Sequence, residues 1–352
     1  MRDILLLHAK KYPAMKAEDG VKLCYQSEFG GGHLLPSRDA CVESIREEWA
    51  SAALLNPNSP LLEPIGGGLI RLYLNAEGAK DLRPETIAGL FMAVSDKKHG
   101  TQTGFFKKVS VLRVLTGEGL MPFSTAELDA FWAGYKAAGY PLCRHSGDYR
   151  LAYHPAYRLA GMEAEKCLPL LMAIDLRLMK KTPVTIAVDG PSGAGKSSLA
   201  AWLQTVYGDC EVFHMDDFFL PPQRKTEDRL NTPGGNVDWE RFLEEVLLPL
   251  KQGKAFTYRP YDCGNCTLCD PVQAMPRMLN IVEGVYSQHP ALRGAFDMNV
   301  FLSIDKQEQS ERILKRNGKR MHGRFLKEWI PLEDLYFREM SISQKADLIL
   351  MA

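Results

Sequence analysis

The chain has 352 residues, 45 % of them apolar, with 43 basic and 43 acidic side chains and eight cysteines; this length suits about two domains with ordinary packed cores. Balanced charge gives no whole-chain signal for nucleic acid or an anionic membrane, and no apolar run approaches the roughly 18 residues of a spanning helix. The Ile4–Leu7 stretch is stopped at once by His8, Lys10 and Lys11, too short for an export-signal core, so the cysteines read as reduced thiols in the cytoplasm.

In chain order, residues 1–160 carry glycine clusters at Gly30–Gly32 and Gly66–Gly68, helix patterns at 38–55, 84–98, 102–116 and 124–138, and a strand at 69–74. The mixture predicts a separate α+β domain, to which no function is assigned. Phe29-Gly30-Gly31-Gly32-His33 is a turn open to close approach by a ligand, although a histidine beside glycines more often has a structural role. Arg144–Arg158 interleaves arginine, histidine and tyrosine. Those groups suit an anion or substrate site, or a domain interface, better than nucleic acid. Residues 161–181 predict a connecting helix and residues 182–352 a second domain.

In that second domain strand patterns at 184–189, 211–215, 279–282, 297–303 and 347–350 alternate with helix patterns at 196–207, 238–251, 306–316 and 331–340. The alternation predicts an α/β fold, a P-loop NTPase-type parallel sheet with helices on both faces, with ligands at the carboxyl ends of the strands. Gly190-Pro191-Ser192-Gly193-Ala194-Gly195-Lys196-Ser197-Ser198 fits G-x-x-x-x-G-K-[ST] between an apolar strand and a helix start. In that context Gly190, Ser192, Gly193, Ala194, Gly195, Lys196, Ser197 and Ser198 form a phosphate cradle. Lys196 reaches the β- and γ-phosphates and Ser197 takes a Mg²⁺ position.

Asp216 and Asp217 close the second strand, where a phosphoryl-transfer enzyme needs a carboxylate to accept the proton of the attacking hydroxyl. A solvated or helix-capping pair is the plainer alternative. If the chain leaves the strand extended, the two side chains point to opposite sides. Glu283 closes the third strand and suits Mg²⁺, against the alternative of a surface acid in a turn. Arg312 and Arg316 share a helix face, and Gly318 allows a break after which the chain forms a mobile lid. A solvated basic face is the plainer alternative there. Cys263, Cys266 and Cys269 are spaced C-x₂-C-x₂-C, one ligand short of a closed zinc site, and read as ordinary thiols with zinc as the lesser alternative.

Together, GPSGAGKSS at 190–198, DDFF at 216–219, YRPYDC at 258–263, VEGVYS at 282–287, ERILKRN at 311–317 and WIPLEDLYF at 329–337 resemble the uridine kinase, phosphoribulokinase and pantothenate kinase branch of P-loop kinases. The likeness covers about half the chain. It implies ATP and Mg²⁺ as cofactors, and phosphorylation of a hydroxyl on a nucleoside or other small metabolite. It makes Asp216 the base, Glu283 the metal-side acid, Tyr261 a neighbour of the acceptor, and Arg312 and Arg316 part of the lid. The chain departs from uridine kinases where the ribose is held: Asn231–Trp239 offers only Asp238 as an obvious carboxylate. Asp217, Asp238 and Tyr261 are therefore the expected substrate contacts. The expectation is a cytoplasmic small-molecule kinase with no nucleic-acid or membrane partner. A nucleotide-dependent switch whose first domain binds a partner is the alternative, and the acid pair and lid favour the kinase.

Overall fold

The computed structural model describes residues 1–31, 37–51, 59–95 and 100–352. Gly32 and His33 of the first glycine turn, and the ends of the helix patterns at 38–55 and 84–98, lie outside them. The chain divides into two units, Met1–Asp175 and Leu176–Ala352.

The first unit runs α1 (Arg2–Lys11), α2 (Ala17–Phe29), α3 (Arg38–Ala50), β1 (Leu62–Gly66), β2 (Leu69–Tyr73), α4 (Pro84–Ser95), α5 (Gln102–Gly117), α6 (Thr125–Ala137), α7 (Gly147–Tyr153), β3 (Tyr157–Gly161) and α8 (Glu163–Leu178), whose end carries the chain into the second unit. β1, β2 and β3 form an antiparallel sheet in that order. Helix starts are set by side-chain caps from Ser37, Thr101, Ser124 and Ser146, each satisfying an amide that the helix leaves unpaired.

This unit buries charge. Glu63 accepts from Lys11 at 2.7 Å, from the Tyr12 and Tyr73 hydroxyls at 2.5 and 2.7 Å, and from Arg71. Arg71 also donates to Gln26 and lies over the Tyr157 ring. Tyr157 bonds His145, which bonds Asp19 at 2.8 Å. The Arg144–Arg158 run is thus partly turned inward: His145 and Tyr149 are buried and stacked 4.3 Å apart, and Arg158 pairs with Glu48, while Arg144, Arg150 and His154 stay exposed. Burial pushes the His8 imidazole down to about 4 and that of His145 to about 3. For Glu63 burial acts upward, but His8, Arg71 and the Lys11 and Tyr12 hydrogen bonds outweigh it and hold the carboxyl at about 2.

The second unit runs β4 (Val184–Asp189), α9 (Lys196–Tyr207), β5 (Cys210–His214), α10 (Glu227–Asn231), α11 (Trp239–Phe242), α12 (Leu248–Gln252), β6 (Phe256–Tyr258), β7 (Tyr261–Asp262), β8 (Thr267–Leu268), β9 (Val272–Ala274), β10 (Leu279–Glu283), α13 (Pro290–Arg293), β11 (Met298–Ser303), α14 (Lys306–Arg324), α15 (Ile330–Glu339) and β12 (Leu348–Met351). Five strands form one parallel sheet ordered β12-β11-β4-β10-β5. The strands fall within a residue or two of the sequence expectation, because apolar, β-branched runs are what a doubly covered parallel sheet requires. The chain steps from β4 to one side for β5 and β10 and to the other for β11 and β12. Right-handed crossovers then lay helices on both faces, with a ligand crevice at the carboxyl end of β4. Phe213, Phe218, Phe242, Val282 and Tyr336 lie in the buried core.

Two features flank the sheet. β7 and β8 form a hairpin whose tip carries Cys263 and Cys266; these two and Cys269 are all exposed. Among the described residues no three His, Cys, Asp or Glu side chains gather as a metal cage. In α14, Gly318 takes φ 74° and ψ 169°, and Ser310 Oγ meets His322 Nε2 at 2.7 Å. Twelve residues of straight helix span about 18 Å, so the chain doubles back at Gly318.

Two outcomes follow from this packing. The unfolded chain titrates its histidines near 6.5, and the folded first unit holds His8 and His145 neutral to about 4 and 3. The unfolded state thus binds more protons between those values. The histidine contribution to stability is full above pH 6.5 and is lost as the pH falls, with Glu63 adding to the loss below about 4.5. Hydrogen exchange of peptides from α1, α2 and β2 should show this unit weakening by at least about 1 kcal/mol between pH 7 and pH 5, and His8→Gln should flatten the slope; a slope of zero in the parent chain contradicts it. Separately, Gly190 has φ 145° and a Cβ there would collide with the Leu302 carbonyl oxygen. Gly190→Ala should cost about 3 kcal/mol or more in urea unfolding of the second unit.

Candidate active site

The site is built at the carboxyl end of β4. Asp189, the last residue of that strand, is fully buried and accepts from three segments: Gly190 N at 2.7 Å, Gln288 N at 3.0 Å and the Tyr336 hydroxyl at 2.8 Å. Burial pushes its carboxyl up to about 6 against these bonds and Lys196. Gly190, Gly193 and Gly195 all have positive φ, conformations that a side chain resists. Ala194 N closes the loop on the Pro191 carbonyl. Lys196 opens α9, buried, with its ammonium donating to the Gly190 and Pro191 carbonyls at 2.8 and 3.2 Å. No side chain caps α9, and Ser197 and Ser198 stand exposed on its first turn. The free amides, the helix dipole and the Lys196 ammonium make this an anion site.

The loop is fastened from outside. Ser192 N donates to Glu333 at 3.0 Å, and the Ser192 hydroxyl donates to the other carboxylate oxygen. Gln309 Nε2 donates to the Ser192 carbonyl at 3.0 Å. Arg312 reaches the Gly193 carbonyl at 3.3 Å and Glu308 at 2.6 Å. Burial raises the Glu333 carboxyl above its ordinary range.

The acids lie at the neighbouring strand ends. β5 and β10 pair in register, with His214 opposite Glu283. His214 Nδ1 and Glu283 Oε1 are 2.6 Å apart, with Glu283 buried and His214 exposed. That hydrogen bond raises the imidazole above its ordinary value. Met215–Phe218 then forms a 3₁₀ turn, not the extended exit on which opposite-facing Asp216 and Asp217 depend. The reason is packing: Met215 and Phe218 are both buried in the core, and a three-residue turn puts both on one side. Asp216 is exposed yet crowded by protein atoms. Burial raises its carboxyl and Glu283 adds to this, while Lys196, His214 and Arg316 pull it down. Asp217, half-buried, is also raised, first by burial.

Of the expected substrate contacts, Asp238 sits differently. Both Asp238 oxygens are taken, one by Arg224 at 2.5 Å and one by the Arg241 amide as the cap of α11. Asp238 is buried structure and not an open carboxylate. Tyr261 packs against the Met215–Phe218 turn with its ring buried. Arg316 is exposed and bonds the neighbouring Asn317, while its charge acts on Asp216. Asp189, Gln288, Gln309, Glu333, Tyr336 and His214 join the site without having been expected. Asp189 alone had a local signal, a carboxylate ending an apolar strand beside the glycine loop. Tyr286, three residues after Glu283, has φ 76°, a strained backbone of the kind that gathers at functional sites.

The donor set suits a nucleoside triphosphate with a divalent cation: an amide and ammonium cradle, the Ser197 hydroxyl beside it, and carboxylates from Glu283, Asp216 and Asp217 on the adjoining strand ends. No family model matches the chain. A uridine kinase of Geobacillus kaustophilus is 31 % identical over 151 residues, 40 % of this chain and 70 % of that protein. One from another Geobacillus species is 31 % identical over 149 residues, 40 % of this chain and 69 % of that protein. Among solved structures, a possible uridine kinase from Bacillus stearothermophilus aligns at 21 % identity and TM-score 0.39, covering 52 % of this chain and 99 % of that one. A D-glycerate 3-kinase from Cryptococcus neoformans aligns at 16 % identity and TM-score 0.38, covering 50 % and 89 %. With 31 % identity over more than two thirds of the Geobacillus proteins' length, the chain belongs to the uridine kinase family of P-loop kinases.

Proposed function

We propose that residues 182–352 form an ATP-dependent kinase that phosphorylates a hydroxyl of a nucleoside or another small metabolite. The observation that carries this is the pairing of the Lys196 cradle with Asp216, a carboxylate within electrostatic reach of Lys196, Glu283 and Arg316. Lys196 trades its loop carbonyls for the β- and γ-phosphates, and the amides from Gly193 to Ser198 hold the phosphate oxygens. Mg²⁺, when bound with the nucleotide, supplies positive charge at those oxygens; Ser197 and Glu283 are the groups to hold it. Asp216 orients the acceptor hydroxyl and takes its proton, and its upward shift brings a carboxylate nearer the range where a base works well. Arg312 and Arg316 offset the charge that develops in transfer, and closure of the chain beyond Gly318 keeps water out. Asp217 is left as the substrate-side acid.

The enzyme works in the cytoplasm, and its first unit adjusts acceptor affinity or regulation. Among the described residues no helix is long and apolar enough to cross a membrane.

Screening nucleosides, sugars, hydroxy acids and vitamin precursors for acceptor-stimulated ADP release tests the reading. Lys196→Ala should fold normally and lose turnover by about 100-fold or more; wild-type turnover in the folded variant rejects the assignment. Asp216→Asn should lower phosphorylation by about 10²–10⁴-fold with ATP affinity little changed, and Asp217→Asn should be milder. If Asp217→Asn loses the chemistry while Asp216→Asn keeps it, the roles are exchanged.

A further inference from the structure

The β7–β8 hairpin and the residue after it carry three exposed thiols that the proposed chemistry does not use. Its ladder pairs Tyr261 with Leu268 and Asp262 with Thr267. The next facing residues are therefore Cys263 and Cys266, joined by Gly264 and Asn265. The turn is held in shape: Asp262 accepts from the Gly264 and Asn265 amides at 2.7 and 3.3 Å and from Asn265 Nδ2 at 2.5 Å. Cys266 takes φ 55°, and its Sγ lies 3.7 Å from the Cys263 carbonyl oxygen, folded back over the turn. The ends of a tight four-residue turn lie within about 7 Å, Cα to Cα, and a disulfide needs about 4.4–6.8 Å.

Cys269 is placed differently. Its amide donates to the Pro260 carbonyl at 2.8 Å, three rungs down the ladder, and Arg259 holds the Leu268 and Cys269 carbonyls at 3.1 and 2.8 Å. At about 3.3 Å per residue that position is roughly 10 Å from either turn cysteine, beyond the reach of a disulfide. The same separation accounts for the lack of a three-thiol metal cage among the described residues. Of three possible bridges the fold admits one. That pair is tied to the acid turn: β7 packs on Met215–Phe218. Protein atoms around the Cys263 thiol push it up, Lys225 pulls it down and Asp216 adds to the rise. Between them stands Tyr261, its ring buried, with its hydroxyl raised by burial and then by Cys266 and Cys263.

We propose that Cys263 and Cys266 are a thiol modification site: a small-molecule disulfide converts them to an internal disulfide, and a dithiol reverses it. The Cys266 thiolate, at the exposed tip, attacks one sulfur of the reagent. The reagent's S–S bond breaks, a mixed disulfide forms and one thiolate leaves. The Cys263 sulfur then attacks the Cys266 sulfur and expels the second thiolate. Two protein thiols are oxidised, one reagent disulfide is reduced to two thiols, and the two protein protons end on them. Exposed disulfides are the labile, regulatory kind, and in the cytoplasm disulfides are mostly transient or redox-sensing. The bridge fixes the hairpin against the turn that carries Asp216 and Asp217. That it thereby governs the acceptor side rests on the kinase assignment above; formation of the bridge does not.

Titration of the full chain with mixtures of reduced and oxidised glutathione, followed by alkylation and peptide mapping, tests it. The chain should lose two of its eight thiols, both from the peptide that holds Cys263 and Cys266, and dithiothreitol should restore them. Cys269→Ser should oxidise as the parent chain does, whereas Cys263→Ser and Cys266→Ser should form no internal bridge. Hydrogen exchange in peptides covering residues 256–269 and 213–220 should slow by about threefold or more in the oxidised chain, with peptides over 186–200 and the first unit unchanged. A bridge to Cys269, mixed disulfides with no Cys263–Cys266 bond, no loss of thiols, or unchanged exchange over 213–220 in the bridged chain each overturns the proposal. None of these readouts depends on ATP turnover, so failure of the kinase assignment shows separately, as wild-type turnover in Lys196→Ala.

Discussion

One buried carboxylate sets the geometry of the second unit. Asp189 ends the central strand with no access to water and collects donors from the P-loop, from the segment after β10 and from α15. A carboxyl in that position is costly unless it is well bonded, and removing one donor from a buried acceptor leaves a penalty of roughly 1–3 kcal/mol. The three segments are thus held to a common point. The Glu333 bonds to Ser192 repeat the device from the same helix, α15. The glycine loop has positive φ at three places and little side-chain packing of its own, so these outer carboxylates give it a fixed shape before any phosphate arrives.

Around that loop the charges are interleaved. Lys196 faces Asp189, Asp216 and Glu333, and Glu283 faces His214. Asp216 and Asp217 stand apart from Asp189, Glu283 and Glu333 because, among the described residues, no hydrogen bond holds either carboxylate, while their neighbours' charges reach both. The arrangement leaves these two acids free to meet a hydroxyl or a cation and commits the others to holding the frame. The first unit uses the opposite economy: Glu63 is committed to Arg71 and Asp19 to His145.

The strands, the glycine loop, α9 and the break at Gly318 were legible in the sequence because each is dictated by neighbours in the chain: apolar runs, turn glycines, a helix start. What the sequence did not reveal depends on residues far apart. Glu333 lies 141 positions from Ser192, and His214 meets Glu283 only through the register of β5 and β10. The exit of β5 read as extended, and burial of Met215 and Phe218 made it a 3₁₀ turn. Asp238 looked available as a carboxylate until Arg224 and the cap of α11 claimed it. The Arg144–Arg158 run read as an anion site or a domain interface, and composition did not show that His145 and Tyr149 turn inward while Arg144 and Arg150 stay exposed.

The place of β4 in the sheet has a consequence for how the protein is made. This strand is the first of the five to leave the ribosome, and its two sheet neighbours, β10 and β11, begin at Leu279 and Met298. The intervening β5 cannot pair with it, because β10 must lie between them. Long-range parallel pairing of this kind is slow, since loop closure precedes any reward. The nascent chain therefore carries an apolar strand and an unformed phosphate loop, both edges bare, through the synthesis of the 89 residues between Asp189 and Leu279. A bare apolar strand is a site of mispairing and aggregation, so premature termination before Ser303 yields a species that is both inactive and adhesive.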